Sequence, residues 1–118
     1  LAMIETKESF KNIRSIVTTK GLSGIYIGPS DLSIGLSDGQ LKPGMDRTEP
    51  EIVSAIKKIL NEAKMAKILA GIHCATAEYA AKSISWGFDM VTVNSDARLL
   101  AEVATRTVKN TRGLIEKI

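Results

Sequence analysis

Gly24-Ile25-Tyr26-Ile27-Gly28-Pro29-Ser30-Asp31-Leu32-Ser33 joins a strand signal to a helix signal with no linker between them. Leu22 and the run Ile25-Tyr26-Ile27 supply β-branched and aromatic residues, which predicts a buried strand over residues 22–27. Gly28-Pro29 ends it, because proline has no N–H to give to a ladder. Ser30 and Asp31 then fall in the first turn of a short helix, where backbone N–H groups lack intrahelical acceptors and form an anion site. Asp31 has two readings there: a helix N-cap accepting from those N–H groups, or a ligand. A second carboxylate favours the ligand. Met3-Ile4 ends in Glu5 and a helical pattern follows, so Glu5 also stands at the carboxyl end of a strand. On parallel neighbours roughly 4.8 Å apart, Glu5 and Asp31 converge on one divalent cation. Hard oxygen ligands suit Mg²⁺ or Mn²⁺ and leave positions for water and substrate.

Composition narrows the classes. The 118 residues are enough for one domain, and 44% hydrophobic with 25% charged residues is ordinary for a globular protein. Aromatics are only 4%, so the core is aliphatic. No apolar run approaches the ~20 residues of a membrane span. The opening residues show no basic n-region or cleavage site, which argues against secretion. A single cysteine, Cys74, cannot form an internal disulfide, so a reducing cytoplasm is the expected compartment. The net charge of +3 comes from 16 basic residues scattered through the predicted helices, without interleaved aromatics. That pattern is a solvated surface and not a nucleic-acid interface.

In chain order, Phe10, Ile13, Ile16 and Val17 predict one amphipathic helix over residues 6–20, with Thr6 as N-cap and Gly21 as stop. The stretch from Ile34 to Glu49 is broken by Gly35, Asp38-Gly39, Pro43-Gly44 and Asp46, and reads as a lid or rim over the Asp31 edge. Thr48-Glu49-Pro50-Glu51 reads as a capping box before a helix carrying Ile52, Ile56, Ile59, Leu60 and Ala63. A third strand over residues 68–72 leads to His73-Cys74. A helix follows from Thr76 to Trp86, stopped by Gly87, then a strand over Met90-Val91-Thr92-Val93. Asn94-Ser95-Asp96 caps a last helix that fades near Thr111-Arg112-Gly113, and its apolar face of Leu99, Leu100, Val103 and Val108 suits either its own sheet or a neighbouring subunit.

Four strand-then-helix units predict an α/β fold with a parallel sheet. Ligands in such folds bind at the carboxyl ends of the strands, where Glu5, Ser30, Asp31, His73 and Asn94-Ser95-Asp96 fall. Four units are half of a (β/α)₈ TIM barrel, whose usual length is about 250 residues. The expectation is a single domain over residues 1–118, forming the second half of a barrel or a half-barrel that pairs with a missing partner or a second copy. Open edges invite such association.

Ile4-Glu5-Thr6, then Gly28-Pro29-Ser30-Asp31-Leu32-Ser33, then Trp86-Gly87-Phe88-Asp89-Met90-Val91 with Asn94-Ser95-Asp96, resembles the HpcH/HpaI aldolases, class II pyruvate aldolases, over strands five to eight of their barrel. The resemblance implies a metal-dependent retro-aldol lyase that cleaves 4-hydroxy-2-oxo acids to pyruvate and an aldehyde. It implies a divalent metal (Mg²⁺, Mn²⁺ or Co²⁺) on Glu5 and Asp31, and a homo-oligomer. It assigns the pyruvate carboxylate to the N–H groups of Ser30 and Asp31, with Gly28 along the same wall. The metal would act as a Lewis acid toward the enolate formed on C–C cleavage.

Two positions depart from the family. Met3 stands where many members carry a glutamine near the substrate, and His73 where an aliphatic residue packs near the pyruvate methyl. His73 is therefore either a substrate-binding group for a more polar ligand or a rim histidine with no chemical role. Cys74 reads as a buried filler and Asp96 as a cap. The acid/base histidine and the enolate-stabilising arginine of the family have no counterpart here, so the catalytic set is incomplete in this chain. The competing readings are a non-catalytic half-barrel for binding or assembly, and an acyl-CoA lyase of the citrate lyase β type. The latter would need a cationic groove that the sequence does not show. A flavodoxin-like open sheet is disfavoured by the lack of a phosphate loop.

Overall fold

All four expected strands form, β1 (Ala2–Ile4), β2 (Gly24–Ile27), β3 (Leu69–Cys74) and β4 (Met90–Val93), and they pair in parallel in the order β1-β2-β3-β4. The computed structural model describes residues 1–116. The helices are α1 (Lys7–Lys11), α2 (Ile13–Val17), α3 (Pro29–Leu36), α4 (Pro50–Met65), α5 (Ala77–Trp86) and α6 (Asp96–Ile115). Strand periodicity divides the side chains into two faces. Ile4, Ile25, Ile27, Ala70, Ile72 and Cys74 are fully buried and form the core with Ile13, Val17, Leu32 and the α4 stripe Ile52, Ile56, Ile59, Leu60 and Ala63. The opposite face carries Met3, Glu5, Tyr26, Gly28, Leu69, Gly71, His73, Met90 and Thr92, and there Leu69 and Met3 are about half exposed (55% and 49%). One face of the sheet is covered by helices and the other is open.

Several boundaries differ from expectation. The single helix over residues 6–20 is two. Thr6 caps α1 through a reciprocal pair with Ser9, but Asn12 turns to φ −93°, ψ 11° and the chain restarts as α2. Asparagine competes for backbone partners and is a weak helix former. Thr18 and Thr19 then donate their hydroxyls to the Arg14 and Ser15 carbonyls, and α2 stops at Val17. The short helix after β2 runs to Leu36, so the irregular segment is residues 37–49.

The expected capping box does not form. Buried Arg47 takes both carboxylate oxygens of Glu49 (2.7 and 3.1 Å), Glu49 becomes the N-cap residue without a side-chain cap, and Pro50 needs none at the first helical position. Ser95, and not Asp96, caps α6, which runs to Ile115 instead of fading at Thr111. No α6 residue is buried, and Leu99, Leu100, Val103 and Val108 are exposed, so this face does not cover its own sheet. Cys74 is the expected filler: it is buried, its Sγ lies 3.7 Å from the Ser83 hydroxyl, and burial pushes the thiol pKa up.

Asp89 ties the start of β4 to the start of β3. Its carboxylate accepts from Lys64 Nζ (2.6 Å) and the Ala70 N–H (2.8 Å), while its own N–H donates to the Ala70 carbonyl (2.9 Å). The Lys64 bond first, then the Ala70 N–H, holds its carboxyl below the usual range. A carboxyl that ionises more readily in the folded chain contributes its full stability above the unfolded pKa, about 3.9, and loses it as pH falls through the lower folded value. Asp89→Asn is therefore expected to cost about 1 kcal/mol at neutral pH, a charge-assisted bond discounted for partial exposure. In urea unfolding the gap between variant and parent should close in acid.

Candidate active site

Glu5 stands one residue beyond Ile4, and Ile4 pairs with Ile27, so Glu5 lies at the height of Gly28. The glycine makes room for it: a Cβ there would meet Glu5 Oε2 at 2.8 Å and Met3 Cε at 3.6 Å. Gly28 is also the N-cap residue of α3, with no side-chain cap bond and with Pro29 in the first turn. The Leu32 N–H returns to the Gly28 carbonyl (2.9 Å), and the N–H groups of Ser30 and Asp31 precede that first intrahelical bond. Asp31 is exposed in the first turn, so the N-cap reading does not hold and its side chain is free of that structural task.

Glu5, Gly28, Ser30, Asp31 and His73, the residues expected at the site, line one cavity of about 190 Å³ at the carboxyl ends of the strands, with Met3, Tyr26, Pro29 and Met45. The described ion pairs involve other acids, namely Asp38, Glu62, Glu49 and Asp89. Two carboxylates without protein cations, beside free N–H groups and a helix N-terminus, suit a hard divalent ion completed by water and an anionic ligand. Among the described residues no cluster of three or more His, Cys, Asp or Glu exists that would form an all-protein cage. A larger groove, of about 520 Å³, lies between α1, α3 and α4, away from the strand ends, and one of its acids, Glu49, is already held by Arg47.

Residues 37–49 rim the cavity, as expected of that loop. The Gly44 N–H donates to Ser30 Oγ (3.2 Å), and Met45 reaches the cavity wall. Asp46 accepts from the Ala75 and Thr76 N–H groups and the Thr76 hydroxyl (2.7, 3.0 and 2.6 Å), which pins the loop to the start of α5. Tyr79 donates to the Arg47 carbonyl (2.9 Å), and burial pushes its phenol up to about 12. Arg47 spends its guanidinium on Glu49 and the Lys42 carbonyl. The loop is a braced wall.

Tyr26, Thr92 and Met45 were not among the expected site residues. Tyr26 and Thr92 hydrogen-bond to His73 Nδ1 at 3.1 and 2.8 Å and to each other. Strand alternation was the available signal, because it sets Tyr26, His73 and Thr92 on the same face as Glu5.

Residues 1–103 match the HpcH/HpaI aldolase/citrate lyase family. The chain belongs to that family. Its similarity to a hydroxypyruvate/pyruvate aldolase of Rhizorhabdus wittichii is 37% identity over 97% of this chain and 44% of the relative. To a 4-hydroxy-2-oxo-heptane-1,7-dioate aldolase of Klebsiella pneumoniae it is 33% over 88% of this chain and 37% of the relative. A solved HpcH/HpaI aldolase/citrate lyase family protein from Burkholderia cenocepacia shares the fold, with a TM-score of 0.82 over 93% of this chain and 41% of that one, at 21% identity. The chain thus spans about two fifths of the length of these HpcH/HpaI relatives. Among the described residues no helix is long and apolar enough to cross a membrane.

Gly28→Ala tests the close packing of the carboxylate. Gly28 has φ −96°, which alanine adopts freely, so thermal unfolding should be nearly unchanged. Its methyl would displace the Glu5 carboxylate, and calorimetric Mn²⁺ affinity is expected to fall by about tenfold, as when a group supporting a metal ligand is lost.

Proposed function

We propose that this chain is the carboxyl-terminal half, strands five to eight, of a single-domain TIM-barrel aldolase that cleaves 4-hydroxy-2-oxo acids to pyruvate and an aldehyde. The observation that supports it most is the convergence of Glu5 and Asp31, both without protein cations, on a cavity that also receives the start of α3. Glu5 and Asp31 would hold a divalent ion, Mg²⁺ or Mn²⁺, which when bound supplies Lewis acidity toward a 2-oxo acid. The N–H groups of Ser30 and Asp31 bind the ligand carboxylate at the positive end of the helix. Gly28 leaves the wall low enough for Glu5 and ligand together. Met3 and Met45 give the cavity an apolar lining beside the two acids.

Turnover needs an acid/base histidine and a cation for the developing enolate, which this reading assigns to the remainder of the barrel. The open sheet face of Leu1, Met3, Leu69 and Met90 is the surface such a remainder would cover. The exposed apolar face of α6 is consistent with a homo-oligomer, and the reading places the enzyme in the cytoplasm.

Calorimetric titration of Mn²⁺ into the purified chain, with and without pyruvate, tests the site. The parent is expected to bind Mn²⁺ more tightly with pyruvate present. Asp31→Asn should lower Mn²⁺ affinity by more than about tenfold, the effect of losing even a supporting group, with an unchanged unfolding midpoint. Equal affinity for parent and variant contradicts the proposal.

A further inference from the structure

His73 is the chain's one histidine, and its two ring nitrogens are treated differently by the fold. Nδ1 is held by the Thr92 hydroxyl (2.8 Å) and the Tyr26 phenol (3.1 Å). Nε2 is buried with no hydrogen-bond partner among the described residues. An orphaned buried polar atom costs about 1–3 kcal/mol and calls for an explanation. Here the residue that carries it is also a wall of the cavity containing Glu5 and Asp31.

The arrangement depends on the backbone of β3. His73 and Thr92 are register partners on β3 and β4, so their side chains stand side by side. Tyr26 is one strand away, opposite Gly71, and its ring crosses that glycine to reach them: a Cβ at Gly71 would lie 2.8 Å from Tyr26 Cδ2. Tyr26 and Thr92 bring two hydroxyl protons to a triangle closed by Nδ1. With Nδ1 bare, both protons are used inside the triangle, one on Nδ1 and one between the two oxygens. That arrangement, in which Nδ1 only accepts, corresponds to the tautomer with the ring proton on Nε2. A donor on His73 also complements Glu5 and Asp31, the two carboxylates that line the same cavity, where a bare nitrogen would add one more acceptor.

We infer that His73 is a specificity residue whose Nε2–H, fixed by Tyr26 and Thr92, selects 2-oxo acids bearing an oxygen on the carbon beyond the carbonyl over those ending in a methyl group. The inference rests on the metal and oxo-acid reading above. A ligand held by its carboxylate at Ser30 and Asp31 and by the cation of Glu5 and Asp31 turns its remaining end toward β3. A methyl group there leaves Nε2 unpaired, while a hydroxyl oxygen accepts from it. Sites built on such a donor discriminate strongly against analogues that lack the partner.

The test has two arms. Long-range ¹H–¹⁵N spectra of the full chain at alkaline pH, where an imidazole is neutral, report the tautomer of its single histidine without any ligand. The expected form is Nε2–H, and Tyr26→Phe with Thr92→Val should relax that preference. An Nδ1–H form in the parent overturns the inference. In the second arm the Mg²⁺-loaded chain is titrated with 3-hydroxypyruvate and with pyruvate. The parent should prefer 3-hydroxypyruvate by about tenfold and shift the Nε2 resonance only with that acid. His73→Leu should erase the preference while retaining pyruvate binding, and His73→Gln, which keeps a donor, should retain it. A preference that survives His73→Leu, or none in a parent that binds both acids, overturns this inference and leaves the metal reading standing. Failure to bind either acid, with Asp31→Asn equal to the parent in Mg²⁺ affinity, overturns both.

Discussion

The parallel register between β1 and β2 is the constraint on which the site depends. Pairing Ile4 with Ile27 buries both isoleucines under the helices and, one residue further, brings Glu5 over Gly28 at the mouth of the sheet. A slip of β1 by one residue would turn Ile4 to the open face and Glu5 into the core, where an unpaired carboxylate is not tolerated. The apolar core therefore positions the acid. The same register, continued through Gly71 and Met90, lines up Tyr26, His73 and Thr92 on the open face.

Around this sheet the polar interactions act mostly as braces. Asp89 fastens β4 to β3 at the base, while Asp46 and Tyr79 fasten residues 37–49 to the start of α5 at the top and Arg47 ties that segment to its own end at Glu49. Glu5 and Asp31 are outside these networks, and that separates the acids available for a ligand from those already spent on structure. The helix-covered face is closed and aliphatic. The other face, with Leu69 and Met90 exposed, and α6, with no buried residue, are left open in this chain.

Much of this was legible in the residues. Strands ending at Glu5 and Gly28, a stop at Gly87 (φ +107°) and a buried stripe on α4 follow from periodicity and from residue types with narrow conformational preferences. What escaped was decided by competition among partners. Glu49 went to buried Arg47 and not to a capping box, because a desolvated guanidinium needs a carboxylate more than a helix beginning with proline needs a cap. Asn12 divided a helix that its apolar spacing made continuous. Tyr26 looked like an ordinary strand aromatic, and only the bare backbone of Gly71 lets its phenol reach His73. The first two misses are local, and only the third required knowing what a side chain meets across the fold.

The central claim is that Glu5 and Asp31 share one cation. The direct measurement is a double-mutant cycle of Mn²⁺ affinity over Glu5→Gln, Asp31→Asn and the pair, each checked for native unfolding. Shared coordination predicts that either substitution removes most of the binding and that the second adds little, a strongly non-additive cycle. Losses that add independently, or a single variant that binds as the parent does, would contradict the account.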